Sequence, residues 1–307
     1  MSAFLFRRLA LIIPTLFFVL TVVFALLRLI PGDPVLAMLG ESAQSADVQA
    51  MRKQLMLDRP LAYQYGTYVS HLFRGELGTS WSLKVPIAEL LLSRLPATIE
   101  LAIAATVLAL LISFPLGILS ALKANSIWDR LCSVIAVSGV AIPHFWLGPL
   151  LILFFSIFLG WFPVSGKTDW TSFVLPALTL GTAMAAILTR MLRSSLLEEL
   201  NSDYVRTARA KGAGSLEILF RHALRNAFTP VLTILGLQFG GLLTGAIITE
   251  TIFAWPGIGR LLIQAIFSRD YPLVQACILV FALIYALVNA LVDLLYSALD
   301  PRSVPLR

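Results

Sequence analysis

Six stretches of about twenty residues or more contain no Asp, Glu, Lys or Arg: 9–27, 101–122, 131–166, 170–189, 226–249 and 271–292. A hydrocarbon core roughly 30 Å thick is crossed by about twenty apolar residues in a helix, where every backbone polar group is bonded within the segment. Each run can therefore span, and the expected fold class is all-α: a polytopic membrane protein with six transmembrane helices. Hydrophobic residues make up 58% of the 307 and charged residues 13%, against roughly 45–50% and about 25% in a soluble domain. A soluble reading is excluded. The net charge of +6 would suit nucleic acid on a soluble domain, but here the excess lies in loops beside spans, where it acts as an orientation signal. No nucleic-acid partner is expected.

Arg7 and Arg8 precede an apolar run that is longer than the core of a signal peptide and lacks a small-residue cleavage site, so it reads as a retained first span. Thirteen Lys and Arg fall on one side, in the segments containing Arg7, Lys123, Arg190, Arg206 and Arg302, whereas the short segments of the other side hold four: Arg28, Lys167, Arg260 and Arg269. The richer side is cytoplasmic by the positive-inside rule, which puts both termini there. The expected organisation is a cytoplasmic N-terminus and first span over 1–30, an extracytoplasmic insertion between the first and second spans over 31–95, a core with five more spans over 96–300, and a cytoplasmic tail over 301–307.

The insertion opens on the turn-like Pro31-Gly32-Asp33-Pro34, then reads as a helix over 46–57, a break at Asp58-Arg59-Pro60, and an aromatic helix through Tyr63, Tyr65, Tyr68 and Phe73. It suits either a folded lid or a surface for a soluble partner or substrate. The third run, with Pro143, Pro149 and Pro163, is too long for one straight crossing; it implies a kinked helix, or a helix followed by a turn at 160–167. In the fifth span Gly236, Gly240, Gly241 and Gly245 make two small-xxx-small spacings, suited to close helix packing. Candidates for the translocation path are Gln238, Gly240 and Gly241 in that span and Glu250 at its exit; Glu100, Asn289 and Asp293 sit near span ends, where solvent or capping accounts for them. Cys132 and Cys277 are expected near opposite membrane faces, unpaired.

The loop 196–226 carries the functional expectation. Asp203 is placed to cap a short helix over 204–211 bearing Arg206, Arg209 and Lys211, and Gly212 supplies the stop. Eight residues at 1.5 Å each make a rod of roughly 12 Å. Ser215 then begins a second helix whose Leu216, Leu219, Phe220, Ala223 and Leu224 follow one apolar face, with Glu217 and Arg221 an i,i+4 pair on the other. Such a helix is expected to lie along the interface and feed the fifth span.

The residues Asp203, Tyr204, Val205, Arg206, Thr207, Ala208, Arg209, Ala210, Lys211 and Gly212, followed by His222-Ala223-Leu224-Arg225-Asn226-Ala227, resemble the ATPase-coupling loop of the dipeptide/oligopeptide/nickel family of bacterial ABC importer permeases. Further segments agree in order: Ile30-Pro31-Gly32-Asp33-Pro34, Leu57-Asp58-Arg59-Pro60-Leu61, Gly75-Glu76-Leu77-Gly78-Thr79-Ser80, Leu95-Pro96-Ala97-Thr98-Ile99-Glu100-Leu101, Gly160-Trp161-Phe162-Pro163, the run from Glu250 through Trp255-Pro256-Gly257-Ile258-Gly259, and Asp293-Leu294-Leu295-Tyr296 before Asp300-Pro301-Arg302. The broader permease pattern begins Glu-Ala-Ala with a glycine four residues on; here Arg206-Thr207-Ala208 precedes Gly212, and Met56 stands where the family pattern places a glycine. The resemblance implies a permease in the bacterial inner membrane that moves short peptides, with glutathione or nickel chelates as alternative cargo. It also implies a second homologous permease, two cytoplasmic ATPases, an extracytoplasmic binding protein and surrounding lipid as partners.

Gly166-Lys167-Thr168 imitates the end of a phosphate loop, but Trp161 occupies the position of its first glycine and no strand precedes it. The three histidines, His71, His144 and His222, are scattered without ligand spacing, and no Gly-x-Ser-x-Gly occurs. The chain is thus expected to be no enzyme, to bind no cofactor or metal, and to leave ATP hydrolysis to another chain. On the residues alone an autonomous channel or secondary carrier stays open, and the loop 204–226, which neither would need, discriminates.

Overall fold

The computed structural model describes residues 2–40 and 43–299, and the side chains of these except 2–10, 293 and 295–299. The tail 301–307, the Asp300-Pro301-Arg302 segment and the side chains of Arg7, Arg8 and Asp293 lie outside the described residues. Every regular element is helical, the described backbone adding only one isolated bridge, Thr79 to Pro86. Five helices are long and apolar enough to cross a membrane, and a sixth crossing is available if one sharply broken pair counts as a span.

Two compact units form, one from residues up to Thr98 with Pro256–Ile284, the other from Ile99–Trp255 with residues from Tyr285 on. In the first, α1 (Ser2–Leu29) is followed by the short helices α2 (Pro34–Leu39), α3 (Ser45–Gln54) and α4 (Leu61–Phe73). These make up most of the insertion, and α3 ends three residues before the predicted boundary because the chain turns at Met56 with φ +56°. That left-handed conformation is the physical reason a glycine belongs there: a side chain at positive φ meets its own carbonyl. α4 lies on α1, with Tyr65 Oη 2.6 Å from Thr21 Oγ1, Tyr65 edge-on to Phe24, and the Arg28 guanidinium held by Gln64 Oε1 at 3.1–3.2 Å. Asp33 caps α2 by accepting the Val35 N–H at 2.9 Å. Burial opposes ionisation of Asp33, but the hydrogen bonds from Arg52 and Val35 prevail and hold its carboxyl below the usual range.

The same unit contains α12 (Ile258–Phe267) and the start of α13 (Tyr271–Leu299). Thr98, from the Leu95-Pro96-Ala97-Thr98 segment, accepts the Ile258 N–H at 2.8 Å and so satisfies an orphan donor at the start of α12. Asp270 is fully buried between α12 and α13; it accepts from Ser80 Oγ at 2.6 Å, the Ser82 N–H at 2.9 Å, Ser82 Oγ at 2.8 Å, and the Leu273 N–H at 3.2 Å. A buried carboxylate is tolerable only with such a set of donors. The end of the Gly75–Ser80 segment is thereby tied to the α12–α13 corner.

The second unit takes α5 (Ile87–Leu122) from Ile99 on, α6 (Ile127–Ala141), α7 (His144–Leu151) with a π-helical extension over Ile152–Phe158, α8 (Val174–Leu200), α9 (Asp203–Ala210), α10 (Ser215–Glu217), a π-helical turn over Ile218–Ala223, and α11 (Leu224–Ile252). The third run resolves into α6 and α7, which meet at 105°. Ile142, before Pro143, is extended at φ −90°, ψ 116°, as the proline ring requires of the residue ahead of it. α8 is the core helix, packed on α6 and α11. Gly181 crosses α5 so closely that a Cβ there would stand 2.6 Å from the Ala105 carbonyl. Gly236 and Gly240 similarly receive Val292 and Tyr285 of α13, and Gly245 receives Leu180 and His144, which confirms close packing as the use of these glycines. Cys132 and Cys277 are both buried, and no disulfide joins them.

Met56→Gly should release the left-handed strain, offset in part by the greater freedom of glycine when unfolded, for a net gain of up to about 1 kcal/mol. A higher thermal midpoint of the purified protein is the expected outcome; a lower one would show that the Met56 side chain contributes more than its backbone costs.

Candidate functional site

The loop between α8 and α11 builds one exposed rod. α9 starts at Asp203, with Ser202 rather than Asp203 at the cap position; the Ser202 hydroxyl donates back to the Glu199 carbonyl at 2.6 Å, so no side chain caps the helix. Asp203 therefore sits in the first turn, where its charge faces the positive end of the helix dipole. The C-terminus is a complete Schellman motif: the Gly212 N–H donates to the Arg209 carbonyl at 3.0 Å and the Ala213 N–H to the Ala208 carbonyl at 3.1 Å. Gly212 has φ +89°, with open space where a Cβ would stand, so backbone conformation rather than crowding selects glycine.

Val205 alone in α9 is buried, at 0% exposure. Arg206, Thr207, Arg209, Ala210, Lys211 and Gly212 are exposed and Ala208 half-exposed. The acid expected by the broader pattern is replaced by Arg206, which reaches Asp203 at 3.5 Å in full solvent, a pair worth little. The base of the rod is held by a triangle: Tyr204 Oη donates to Glu199 of α8, and Asn226 of α11 donates Nδ2 to Tyr204 Oη at 3.1 Å and to Glu199 Oε2 at 3.5 Å. Burial, then the Glu199 carboxylate, pushes the Tyr204 phenol above its ordinary value and keeps it a donor. α9 thus hangs from the ends of two spanning helices at once.

The second helix of the loop does not lie apart. Residues Ser215–Ile252 form one continuous helical segment, with a π turn at Ile218–Ala223. The wide turn redistributes the predicted face: Leu219 and Ala223 are buried along with Ile218, whereas Leu216 and Phe220 are 71% and 59% exposed. The predicted Glu217–Arg221 pair forms at 3.2 Å, His222 is half-buried, and Arg225 and Asn226 are exposed.

A charged centre unmarked by the sequence joins α5, α6 and α8. Asp129 of α6, 5% exposed, takes a two-pronged hydrogen bond from Arg193 of α8 at 2.7 Å on each prong, together with the Ser120 hydroxyl of α5 and the Asn125 N–H at 2.8 Å. In the sequence Arg193 reads only as an orientation charge; the signal for the pair is a lone Asp beside a Lys/Arg-rich turn.

Of the path candidates, Gln238 is half-buried, Gly240 is filled by Tyr285, Gly241 opens on free space and Glu250 is fully buried, its carbonyl accepting the Trp255 N–H at 2.8 Å. They do not form one cluster. Lys167 is engaged by Glu100 and stands 5.8 Å from the Trp255 ring, while the Gly166 N–H donates to the Phe253 carbonyl at 2.8 Å, so Gly166-Lys167-Thr168 serves a folded loop. Among the described residues no group of three His, Cys, Asp or Glu could hold a metal ion.

The described elements are helical, with spans long and apolar enough to cross a membrane, and the family to which the chain belongs is one of membrane transport subunits. The chain belongs to the family described as "Binding-protein-dependent transport system inner membrane component", matched over residues 113–304, with the corresponding N-terminal family matched over 1–102. It is 44% identical over 301 residues, 98% of each chain, to the glutathione transport system permease protein GsiC of Escherichia coli K12, and 43% identical at the same coverage to that of Salmonella paratyphi A. Among solved structures it resembles the inward-facing MetNI methionine ABC transporter, with a TM-score of 0.61 and 19% identity over 69% of this chain and 97% of that one. It also resembles an amino acid ABC transporter solved with histidines, at a TM-score of 0.55 and 16% identity over 69% of this chain and 94% of that one. The protein is a multi-pass inner-membrane permease of an ABC importer, not itself an enzyme, and works with an ATPase and a substrate-binding protein.

Asp129→Ala strands the Arg193 guanidinium, and losing one partner of a buried pair costs about 3 kcal/mol. The thermal midpoint of the purified transporter should fall by several degrees, and less for Asp129→Asn, which keeps an acceptor. An unchanged midpoint for Asp129→Ala would remove the pair from the core.

Proposed function

We propose that this permease imports short peptides, with glutathione, a tripeptide, as the leading cargo, and that α9 is the element through which ATP hydrolysis on a partner drives the spans. The observation that carries the coupling role is the geometry of α9: a roughly 12 Å rod exposed along Arg206, Thr207, Arg209, Ala210 and Lys211, fixed by Val205 and hung from α8 and α11. A rod attached in this way transmits displacement to two spans, which is what a rigid-body switch between outward and inward states requires.

In this reading α9 and both termini are cytoplasmic, following the Lys and Arg distribution, and the insertion 31–95 faces the binding protein. The translocation unit pairs this chain with a second homologous permease and two ATPases. Gln238, Gly240, Gly241 and Glu250 remain the proposed contributors to the path, Gly241 being the one with open space beside it. Peptide cargo is supported by the 44%-identical relatives, named for glutathione transport. Copurification from native membranes in mild detergent tests the assembly, and uptake of labelled glutathione against dipeptides by the reconstituted transporter tests the cargo. Recovery of the chain alone would sink the assembly, and dipeptide uptake without glutathione uptake would replace the cargo.

Gly212→Pro cannot adopt φ +89° and removes the Schellman N–H. This variant, and Arg209→Glu on the exposed face, should lower uptake about tenfold or more while the level of the permease in the membrane is unchanged. Normal uptake by both variants would overturn the coupling role of α9.

A further inference from the structure

An apolar groove of about 440 Å³ opens between α1, α12 and α13, lined by Leu26, Leu27, Ile266, Val274 and Ile278 among others, with Arg269 the single charge on its wall. It sits where two spans end, Leu11–Leu29 and Tyr271–Val292, which is the level of lipid headgroups. Among the described residues Arg269 makes no ion pair. Its guanidinium packs against Gly32, filling the space that a Cβ there would need, and Nη2 donates to the Pro31 carbonyl at 2.8 Å. Nη1 is buried with no hydrogen-bond partner. The neighbouring carboxylates are spoken for: Asp270 by Ser80 and Ser82, Asp33 by Arg52.

An unpaired cation at the lip of an apolar groove, at the depth where spans meet headgroups, is a site lacking its anion. We propose that the groove binds an anionic phospholipid, one acyl chain lying between α1 and α13 and the phosphate diester accepting from Arg269. Hydrocarbon requires nothing from the apolar wall except contact. The phosphate oxygens supply what Arg269 lacks, in the charge-assisted geometry that guanidinium favours. A small rotation of the guanidinium about its Pro31 anchor presents Nη1 to the groove.

The test uses the whole transporter, stripped of lipid in mild detergent and offered phosphatidylglycerol, phosphatidylcholine or sn-glycerol 3-phosphate, with bound molecules counted by native mass spectrometry. Phosphatidylglycerol should be retained over phosphatidylcholine, and glycerol phosphate should not be retained. Arg269→Gln should lower phosphatidylglycerol retention roughly tenfold, the scale of one charge-assisted hydrogen bond. Leu26→Trp, which fills the groove from an exposed position, should lower it with Arg269 intact. Equal retention by wild type and both variants overturns the proposal. So does retention of glycerol phosphate to the same extent, which marks a free-phosphate site, or efficient cross-linking of Ile266→Cys to a second permease in native membranes, which shows that protein covers the groove. Uptake of cargo by the unmodified transporter is measured separately, so the lipid site and the importer reading stand or fall apart.

Discussion

Hydrocarbon offers no hydrogen bonds, and that one constraint orders this molecule. Backbone polar groups must be satisfied inside each spanning segment, so the crossings are helices and the chain turns at their ends, the break between α6 and α7 apart. Polar side chains therefore concentrate at those ends. Asp270 at the α12–α13 corner, Asp129 at the start of α6 and Glu199 near the end of α8 each collect several donors from separate elements. Apolar contact supplies area along the spans, while these carboxylates determine which ends meet.

The same arrangement makes a short helix mechanically useful. α9 buries one residue, Val205, and is otherwise solvated, so its own packing would not hold it. Its orientation comes instead from the Glu199–Tyr204–Asn226 triangle at one end and the Schellman turn at the other. The π turn at Ile218–Ala223 then joins the loop directly to the fifth span. A wide turn within an otherwise regular helix is a common mark of a functional site, and here it lies between the exposed rod and the span it would move.

Much of the architecture was legible in the sequence. Six charge-free runs match five long helices and one broken pair, the Gly212 stop holds to the residue, and three of the fifth-span glycines, Gly236, Gly240 and Gly245, are packing positions. The loop's second helix feeds the fifth span as expected, but its apolar face was less legible. Periodicity assumed 3.6 residues per turn, and a π turn has a different period, so Leu216 and Phe220 left the buried face. Asp129 and Asp270 escaped notice for another reason: their partners are 64 and 190 residues away. Several family segments also acquire physical roles, Thr98 as a cap for α12 and Met56 as a side chain at a position whose backbone suits glycine.

By itself the sequence determined that the chain spans a membrane, how many runs can cross it, and where a short helix stops at Gly212, because these depend on length, charge and short-range pattern. Only the tertiary structure decided that the third run breaks by 105°, that Asp129 and Arg193 lock α6 to α8, and that Arg269 stands unpaired beside an apolar groove. Each of those depends on segments distant in the chain coming within hydrogen-bonding distance, or on a local turn whose direction the packing selects. Residue type shows what a side chain can bond, and its neighbours in space settle whether it does.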